Sequence, residues 1–220
     1  MNNKDMWPDE KFINRDSNDP KILKQFQLDI DFIRKYITSG IICDVGCSTG
    51  EFFKNIEWYG QIYGIEINDY ARSKAQPFIK FDKDIFTEMD FFDLVVFRGT
   101  IQHVEEPFYM IKNAHESLKP GGYICFLATP NANSIFYRVK KTLPFIDWVT
   151  NYYIPGDKEL SNVLKNYGFE IVSIEYPYLK TPYCNLILDH LKFILNLIPG
   201  VYFKHAFWKS SMQIMAVKNG

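Results

Sequence analysis

The chain has 220 residues, of which 47% are hydrophobic, and its formal net charge at pH 7 is −1. This length fits one domain with a sizeable core, and the near-neutral charge argues against an electrostatic grip on DNA or RNA. The sequence has no uncharged apolar run of about 18 residues, so we expect no membrane-spanning helix.

Cysteine and histidine usage bears on location and metal content. None of the four cysteines forms a Cys-x-x-Cys pair. No signal peptide follows the polar residues 1–5, so we expect reduced thiols in a cytoplasmic protein. Apart from His103, the histidines are scattered without metal-ligand spacing, and no metal site is expected.

The first 20 residues are polar and turn-prone, which predicts an irregular arm. This arm either packs on the surface or forms a lid over a substrate. Residues 21–38 then carry apolar side chains every three or four positions, which predicts an amphipathic helix with Asp19 as N-cap and Gly40 as stop. We therefore divide the chain into an arm, 1–20, and one domain, 21–220.

Residues 41–53 predict a buried strand, a tight turn and a helix start, because an apolar run ends in Asp44-x-Gly46-x-x-x-Gly50. The two glycines let a ligand lie against bare backbone, and the helix start offers unpaired N–H groups. The spacing differs from Gly-x-Gly-x-x-Gly, which argues against a pyrophosphate cradle. The helix is predicted over 50–58, closed by Gly60.

A second strand is predicted over 61–65, and Glu66 stands at its carboxyl end. Ligands bind outside these ends in open parallel sheets, where a carboxylate can accept both hydroxyl hydrogens of a ribose. Alone, Glu66 would be a solvated acid; beside the glycine turn, ribose binding is favoured. A helix over 69–76 and a strand over 78–81 follow. Beyond them, Asp84 and Ile85 either hold an adenine or, for Asp84, cap the next helix.

The strand 94–97 is wholly apolar, as expected for a central parallel strand buried on both faces. A polar loop with His103 leaves its carboxyl end. Pro107 then starts a helix predicted over 107–118, and the fifth strand is predicted over 123–128.

Five segments occur together in one order: 44–50, 64–66, 92–96, 102–107 and 118–122. As a set they resemble class I S-adenosylmethionine-dependent methyltransferases, closest to the small-molecule branch with quinone-biosynthesis and sugar O-methyltransferases. The resemblance covers about 40–178. It implies a Rossmann-like α/β fold with a doubly wound, seven-stranded, mostly parallel sheet, an antiparallel last strand and helices on both faces.

The resemblance also implies S-adenosylmethionine as cofactor, with S-adenosylhomocysteine as product. The implied cofactor-binding residues follow the first four strands: Asp44, Gly46, Cys47, Gly50, Glu66, Ile67, Asp84, Ile85 and Arg98. The backbone at Gly46 and Cys47 would meet the methionine part, and Glu66 would take the ribose hydroxyls.

Further implied contacts place Ile67 by the adenine, with Asp84 and Ile85, and the Arg98 carbonyl near the cofactor's amino group. Arg98 departs from the family pattern, because many relatives have an apolar residue there. Its side chain either points at an anionic acceptor or is an exposed arginine paired with a surface acid.

The implied reaction is attack of an acceptor oxygen on the sulfonium methyl group, which requires alignment and removal of a proton. His103 is the candidate base, since the ordinary imidazole is mostly neutral at cellular pH. Alternatively, this histidine shapes its loop or contacts the cofactor.

Two later stretches, 132–154 and 178–210, are expected to act as lid or specificity insertions. The aromatic residues of 132–154 form a pocket wall or ordinary packing. The helix predicted over 184–198 has a broad apolar face, which would cover the pocket or a partner in a homodimer. Only Lys192 and His190 on that helix offer positive charge to anionic lipid, which argues against a membrane surface. The last strand is predicted over 211–218.

We therefore expect a methyltransferase for a small-molecule acceptor, at oxygen, with a sugar or sugar-derived metabolite of cell-surface polysaccharide synthesis preferred. A quinone-like or lipid-associated acceptor is the alternative. Outside that class stand a non-catalytic regulatory protein that binds S-adenosylmethionine and a nicotinamide-dependent oxidoreductase.

Overall fold

The computed structural model describes residues 8–13, 18–54, 56, 58–81, 86 and 88–220. Its strands are β1 Ser39–Val45, β2 Tyr59–Ile65, β3 Ile79–Phe81, β4 Phe92–Arg98, β5 Leu118–Pro130, β6 Phe169–Glu175 and β7 Ser211–Lys218. Its α-helices are α1 Glu10–Ile13, α2 Pro20–Arg34, α3 Glu51–Lys54, α4 Asp69–Ser73, α5 Pro107–Ser117, α6 Ile135–Lys140, α7 Asp157–Asn166 and α8 Leu186–Leu195. A short 3₁₀ helix spans Ile101–His103.

The seven strands form one sheet in the order β3-β2-β1-β4-β5-β7-β6. The strands β1 to β5 pair in parallel, and β7 runs antiparallel to β5 and β6. The predicted fold class is therefore confirmed. The strand order reverses between β1 and β4, which is where open α/β sheets bind ligands.

Helices cover both faces of the sheet. On one face, α5 and α7 pack through Ile111 and Leu160. On the other, α2 and α3 pack through Phe26, Ile33 and Phe53. Successive strand side chains point to opposite faces, so the apolar runs 41–43 of β1 and 94–97 of β4 supply side chains to both cores.

The predicted helix over 50–58 is wrong in its extent. The helix α3 ends at Lys54, and β2 begins at Tyr59. Gly60, predicted to stop the helix, lies in β2 opposite Gly40 of β1. A Cβ on Gly60 would come within 1.9 Å of the carbonyl oxygen of Gly40, so the close backbone approach requires glycine there.

Three other helices, α2, α4 and α8, are shorter than predicted, and α4 ends at Ser73 rather than 76. The first is capped as expected, since the Asp19 carboxylate accepts the Lys21 N–H at 2.8 Å, but it ends at Arg34 rather than near 38. The helix α8 ends at Leu195 rather than 198. Among the residues that the structure describes, no helix is long and apolar enough to cross a bilayer.

Candidate active site

A cavity of about 660 Å³ opens at the carboxyl ends of β1, β2 and β4. Its volume lies within the range of about 300–1,000 Å³ that is usual for small-molecule sites. The predicted site residues that line it are Asp44, Gly46, Cys47, Glu66, Ile67, Arg98 and His103. Seven residues chosen from separate segments of the sequence thus meet at one site.

The glycine loop after β1 bends back onto β2. The N–H groups of Gly46 and Cys47 both donate to the carbonyl oxygen of Ile65, at 2.7 and 3.2 Å. Gly46 has φ +75°, and a Cβ there would lie 2.6 Å from Cγ2 of Thr100. A bare backbone is therefore required at the cavity wall, as predicted.

Gly50 closes the predicted tight turn. Its N–H donates to the Cys47 carbonyl oxygen at 2.9 Å, closing the loop. A Cβ on Gly50 would meet the Ile79 side chain at 2.2 Å, on the side of β3. Gly50 does not line the cavity, so it shapes the loop from behind.

We predict that Gly46→Ala lowers the free energy of unfolding by roughly 1–3 kcal/mol, because alanine adds both left-handed backbone strain and a clash with Thr100. Gly121→Ala is the matched control, since Gly121 has φ +76° and no atom within 4 Å of a built Cβ. Urea unfolding measures the stability of both variants. The loss in Gly121→Ala gives the cost of backbone strain alone, and any further loss in Gly46→Ala gives the cost of the clash with Thr100. Equal losses in the two variants would contradict the role given to the Thr100 contact.

Glu66 joins two turns that form the site. Its carboxylate accepts the N–H of Ser48, in the glycine loop, and the N–H of Asn68, at the start of α4, both at 2.9 Å. A carboxylate has about four lone-pair sites, so these two bonds leave acceptor capacity for hydroxyl groups in the cavity.

The predicted adenine site is only partly described. Ile67 lines the cavity and is 52% exposed. Asp84 and Ile85 lie outside the described residues.

Asp44 is buried at the end of β1, at the cavity. Burial raises its pKa to about 7, and the nearby Glu66 charge adds to that rise, while the Arg98 charge opposes it. A cation in the cavity would favour the ionised form of Asp44. Burial also raises the pKa of the Cys47 thiol, so this residue contributes backbone rather than a reactive thiolate.

Arg98 follows neither of the two predicted arrangements. Its Nε lies 2.9 Å from the carboxylate of Asp29, on α2, and the side chains of the two residues are 15% and 0% exposed. Its guanidinium carbon also lies 4.4 and 5.0 Å from the ring centroids of Phe26 and Phe52. The partner is therefore a buried acid, and the charge is largely neutralised before any acceptor enters.

The Arg98 main chain remains available for its predicted role. Its carbonyl oxygen accepts the Thr100 hydroxyl at 3.1 Å and has a second lone pair.

His103 lies in the 3₁₀ helix after β4 and lines the cavity. Its Nδ1 is 2.8 Å from the carbonyl oxygen of Thr150. A carbonyl oxygen only accepts, so Nδ1 carries the proton, and in the neutral ring the lone pair is on Nε2. The histidine is thus held in the tautomer that a general base needs.

Sequence reasoning missed several residues at this site. Asp29 is one of them, although it occupies a position between the apolar Phe26 and Ile30 of α2, which is an unusual place for an acid. Thr100 also lines the site, and no local pattern marks it. Tyr152 lines the cavity as well, within the aromatic stretch 132–154 for which a pocket wall was one of the two expectations.

Comparisons with known proteins agree with this geometry. The sequence profile of a family described as a methyltransferase domain matches residues 22–174. A malonyl-[acyl-carrier protein] O-methyltransferase from Calditerrivibrio nitroreducens is 28% identical over 89 residues. That match covers 39% of this chain and 36% of the relative, so the chain spans about a third of the relative's length.

Solved structures with this fold include methyltransferases and a cyclase. A SAM-dependent methyltransferase from Archaeoglobus fulgidus has a TM-score of 0.65 at 19% identity, covering 96% of this chain and 97% of its own. The [4+2]-cyclase SpnF has a TM-score of 0.63 at 18% identity, covering 94% and 85%. A phosphoethanolamine N-methyltransferase from Haemonchus contortus, solved with S-adenosyl-L-methionine, has a TM-score of 0.61 at 15% identity, covering 88% and 53%.

The profile match spans more than half of the chain, and the cavity lies where the motifs of the class place the cofactor. The chain therefore belongs to the methyltransferase domain family.

Proposed function

We propose that the protein transfers the methyl group to an oxygen of a small-molecule acceptor, with His103 as the general base. The observation that carries this proposal is the hydrogen bond that Nδ1 of His103 donates to the Thr150 carbonyl oxygen, because it leaves the lone pair of the neutral ring on Nε2 of a residue that lines the cavity. Bound S-adenosylmethionine supplies a methyl group on a positively charged sulfur that leaves readily. The protein has to orient the acceptor and take its proton.

Cofactor binding is assigned to the residues that form the cavity between β1 and β2. Glu66 would accept the ribose hydroxyls, and the backbone of Gly46 and Cys47 would meet the methionine part. Asp44 would balance the positive charge of the cofactor's amino group. The cavity volume, the bare backbone at Gly46 and the remaining acceptor capacity of Glu66 support this assignment.

We predict that His103→Asn lowers turnover by about 100-fold or more, the usual contribution of a general base. The asparagine amide can still donate to the Thr150 carbonyl oxygen, so the loop is retained while the base is removed. Formation of S-adenosylhomocysteine by the variant is measured in a single turnover, and the affinity of the variant for S-adenosylhomocysteine is measured by calorimetry. If asparagine supports wild-type turnover while alanine does not, the histidine acts only through its loop contact.

We also predict that cofactor affinity rises with pH between about 5 and 7 and levels off above it. The folded, ligand-free Asp44 has a pKa of about 7, and binding a cation requires its ionised form, so a proton is released on binding below that pH. The slope approaches tenfold per pH unit. In titration calorimetry, the cofactor affinity of Asp44→Asn should not change with pH over this range. If its affinity depends on pH as in the wild type, another group is responsible for the titration.

The acceptor class is open to two proposals. A sugar-derived acceptor of polysaccharide synthesis rests on the family likeness, and Arg98 gives it little support because Asp29 neutralises the guanidinium. An apolar, quinone-like or lipid-associated acceptor is supported by the cavity wall, where Phe26, Phe52 and Met110 contribute apolar surface.

A turnover assay distinguishes the two acceptor classes, and it also distinguishes an enzyme from a protein that only binds the cofactor. Formation of S-adenosylhomocysteine is measured with sugar nucleotides and with prenylated phenols. Binding without turnover on any acceptor would favour a regulatory role. That test is needed because one neighbour of this fold is a cyclase.

Three segments are proposed to complete the acceptor side of the site. In the arm 1–20, Phe12 lines the cavity and Asp9 accepts the Asn68 amide at 3.0 Å, which supports a lid. In the insertion 132–154, Tyr152 lines the cavity, which supports a role in acceptor choice. The insertion 178–210 lies against α2 through the bond between Thr181 and Gln25, which supports a position beside the acceptor. A cytoplasmic location and a homodimer remain predictions.

A further inference from the structure

The most exposed apolar side chains of the described chain concentrate on and just after α8. We define the α8 face by Leu186, Ile187, Leu191, Ile194, Leu197 and Ile198. Their exposed fractions run from 48% for Leu186 to 79% for Ile187. Contiguous exposed apolar surface of this kind usually marks an interaction site.

The helix α8 is held with its polar side inward. Asp189 is 3% exposed, and its carboxylate accepts the Tyr178 hydroxyl at 2.9 Å and the Asn185 N–H at 2.8 Å. Asn196 is 1% exposed and bonds both the N–H and the carbonyl oxygen of Phe203. These buried bonds fix the rotation of α8, so its apolar face cannot turn into the core.

A stacked aromatic pair fixes the helix further. The ring of Phe193 lies 4.3 Å from that of Phe207, centroid to centroid, with an interplanar angle of 12°. Phe207 belongs to the small core under α6, with Phe136 and Leu143. The α8 face is thus presented outward by a rigid support.

The segment that carries the α8 face has a positive net charge. Residues 179–209 contain four lysines and one aspartate, which gives +3. The whole chain carries −1, so the remaining residues carry −4. The single acid is the buried Asp189, whereas Lys180, Lys204 and Lys209 are exposed. The charge that this segment exposes to solvent is therefore positive.

The same segment exposes amphipathic aromatic residues. Tyr183, Tyr202 and Trp208 are 48%, 43% and 39% exposed. Tyrosine and tryptophan are enriched where a protein meets the headgroup region of a bilayer, because each has an apolar ring and a polar tip.

We propose that the α8 face attaches the protein to the surface of a bilayer that contains anionic lipid. Apolar side chains would enter the acyl boundary, and the lysines would meet the phosphate groups. A two-fold dimer through this face would bring the two positive segments together, which disfavours a second copy as the occupant.

The segment that leads into α8 lies against α2, beside the active site. The Thr181 hydroxyl donates to Gln25 of α2 at 2.8 Å, one residue from Phe26 in the cavity wall. Resting on the proposed function, this placement assigns the acceptor to the class of amphiphiles that reach the cavity from the bilayer.

The test is co-sedimentation of the full chain with phosphatidylcholine vesicles, and with vesicles of equal parts phosphatidylcholine and phosphatidylglycerol. We expect binding to the anionic vesicles that added salt weakens. Ile187→Glu with Leu191→Glu should lower the partition coefficient by at least about tenfold. Met89→Glu is the matched control, because Met89 is 73% exposed in a turn outside this segment and should bind like wild type.

Absence of wild-type protein from the anionic pellet would overturn the proposal, as would equal binding by the double variant and the control. A wild-type dimer in light scattering that the double variant converts to monomer would assign the face to a second copy instead. Far-UV circular dichroism and S-adenosylhomocysteine binding, both measured without vesicles, report on folding and on the methyltransferase site separately.

Discussion

Replacing Glu66 with alanine should weaken S-adenosylhomocysteine binding by about 100-fold or more. Each hydrogen bond to a charged group contributes about 1.5–3 kcal/mol, and two ribose hydroxyls lose their acceptor. The variant also loses the bonds to the Ser48 and Asn68 N–H groups, which hold the two turns together. Isothermal titration calorimetry measures the loss directly.

Two control variants make this result specific. Glu66→Gln keeps the size and one carbonyl oxygen, so it should bind with intermediate affinity. Glu105→Ala removes another acid at the cavity, in the loop after the 3₁₀ helix. Because Glu105 is exposed, its removal should leave the affinity for S-adenosylhomocysteine within a factor of about two. Wild-type affinity in Glu66→Ala would remove the ribose assignment.

Breaking the buried ion pair should have the largest effect on stability. We expect Asp29→Ala to lower the free energy of unfolding by about 3–5 kcal/mol, because it leaves the Arg98 guanidinium without its buried partner. Gln25 and Gln213 also lose a hydrogen bond to the same carboxylate, at 3.1 and 2.7 Å. Burial outweighs the arginine and raises the Asp29 pKa, which shows how costly the buried charge is.

Urea unfolding tests this prediction against a surface pair. Lys35 and Glu175 also form an ion pair, but their side chains are 45% and 33% exposed, so Glu175→Ala should cost less than about 1 kcal/mol. The double variant Asp29→Leu with Arg98→Met should recover much of the loss, since both charges are removed. A cost for Asp29→Ala as small as that of Glu175→Ala would contradict the buried-pair account.

Features that depend on residues close together in the chain could be predicted from the sequence. Strands buried on both faces leave continuous apolar runs, so β1 and β4 could be located from composition alone. The turn with Gly46 and the acid Glu66 stand at fixed distances from strand ends, so the topology brings them together whatever the other side chains are.

Contacts between distant residues could not be predicted in this way. Arg98 and Asp29 are 69 positions apart, and the partner was expected to be a surface acid or an acceptor. His103 and Thr150 are 47 positions apart, and a backbone oxygen leaves no mark in the sequence.

The orientation of α8 shows the same limit. Its polar stripe could be read from the sequence, but the stripe faces inward because Tyr178 and Phe203 satisfy Asp189 and Asn196. Counting positive charge on the helix alone also omitted the exposed Lys180, Lys204 and Lys209, which lie in the chain on either side of it. A lipid surface is therefore favoured here where the helix alone disfavoured it.

A co-crystal structure with S-adenosylhomocysteine tests most directly whether this cavity holds the cofactor. The account predicts density between the glycine loop and β2, with both ribose hydroxyls within hydrogen-bonding distance of Glu66 and the sulfur on the side of His103. Density for the nucleoside at another place on the sheet, or a ribose without any contact to Glu66, would contradict it.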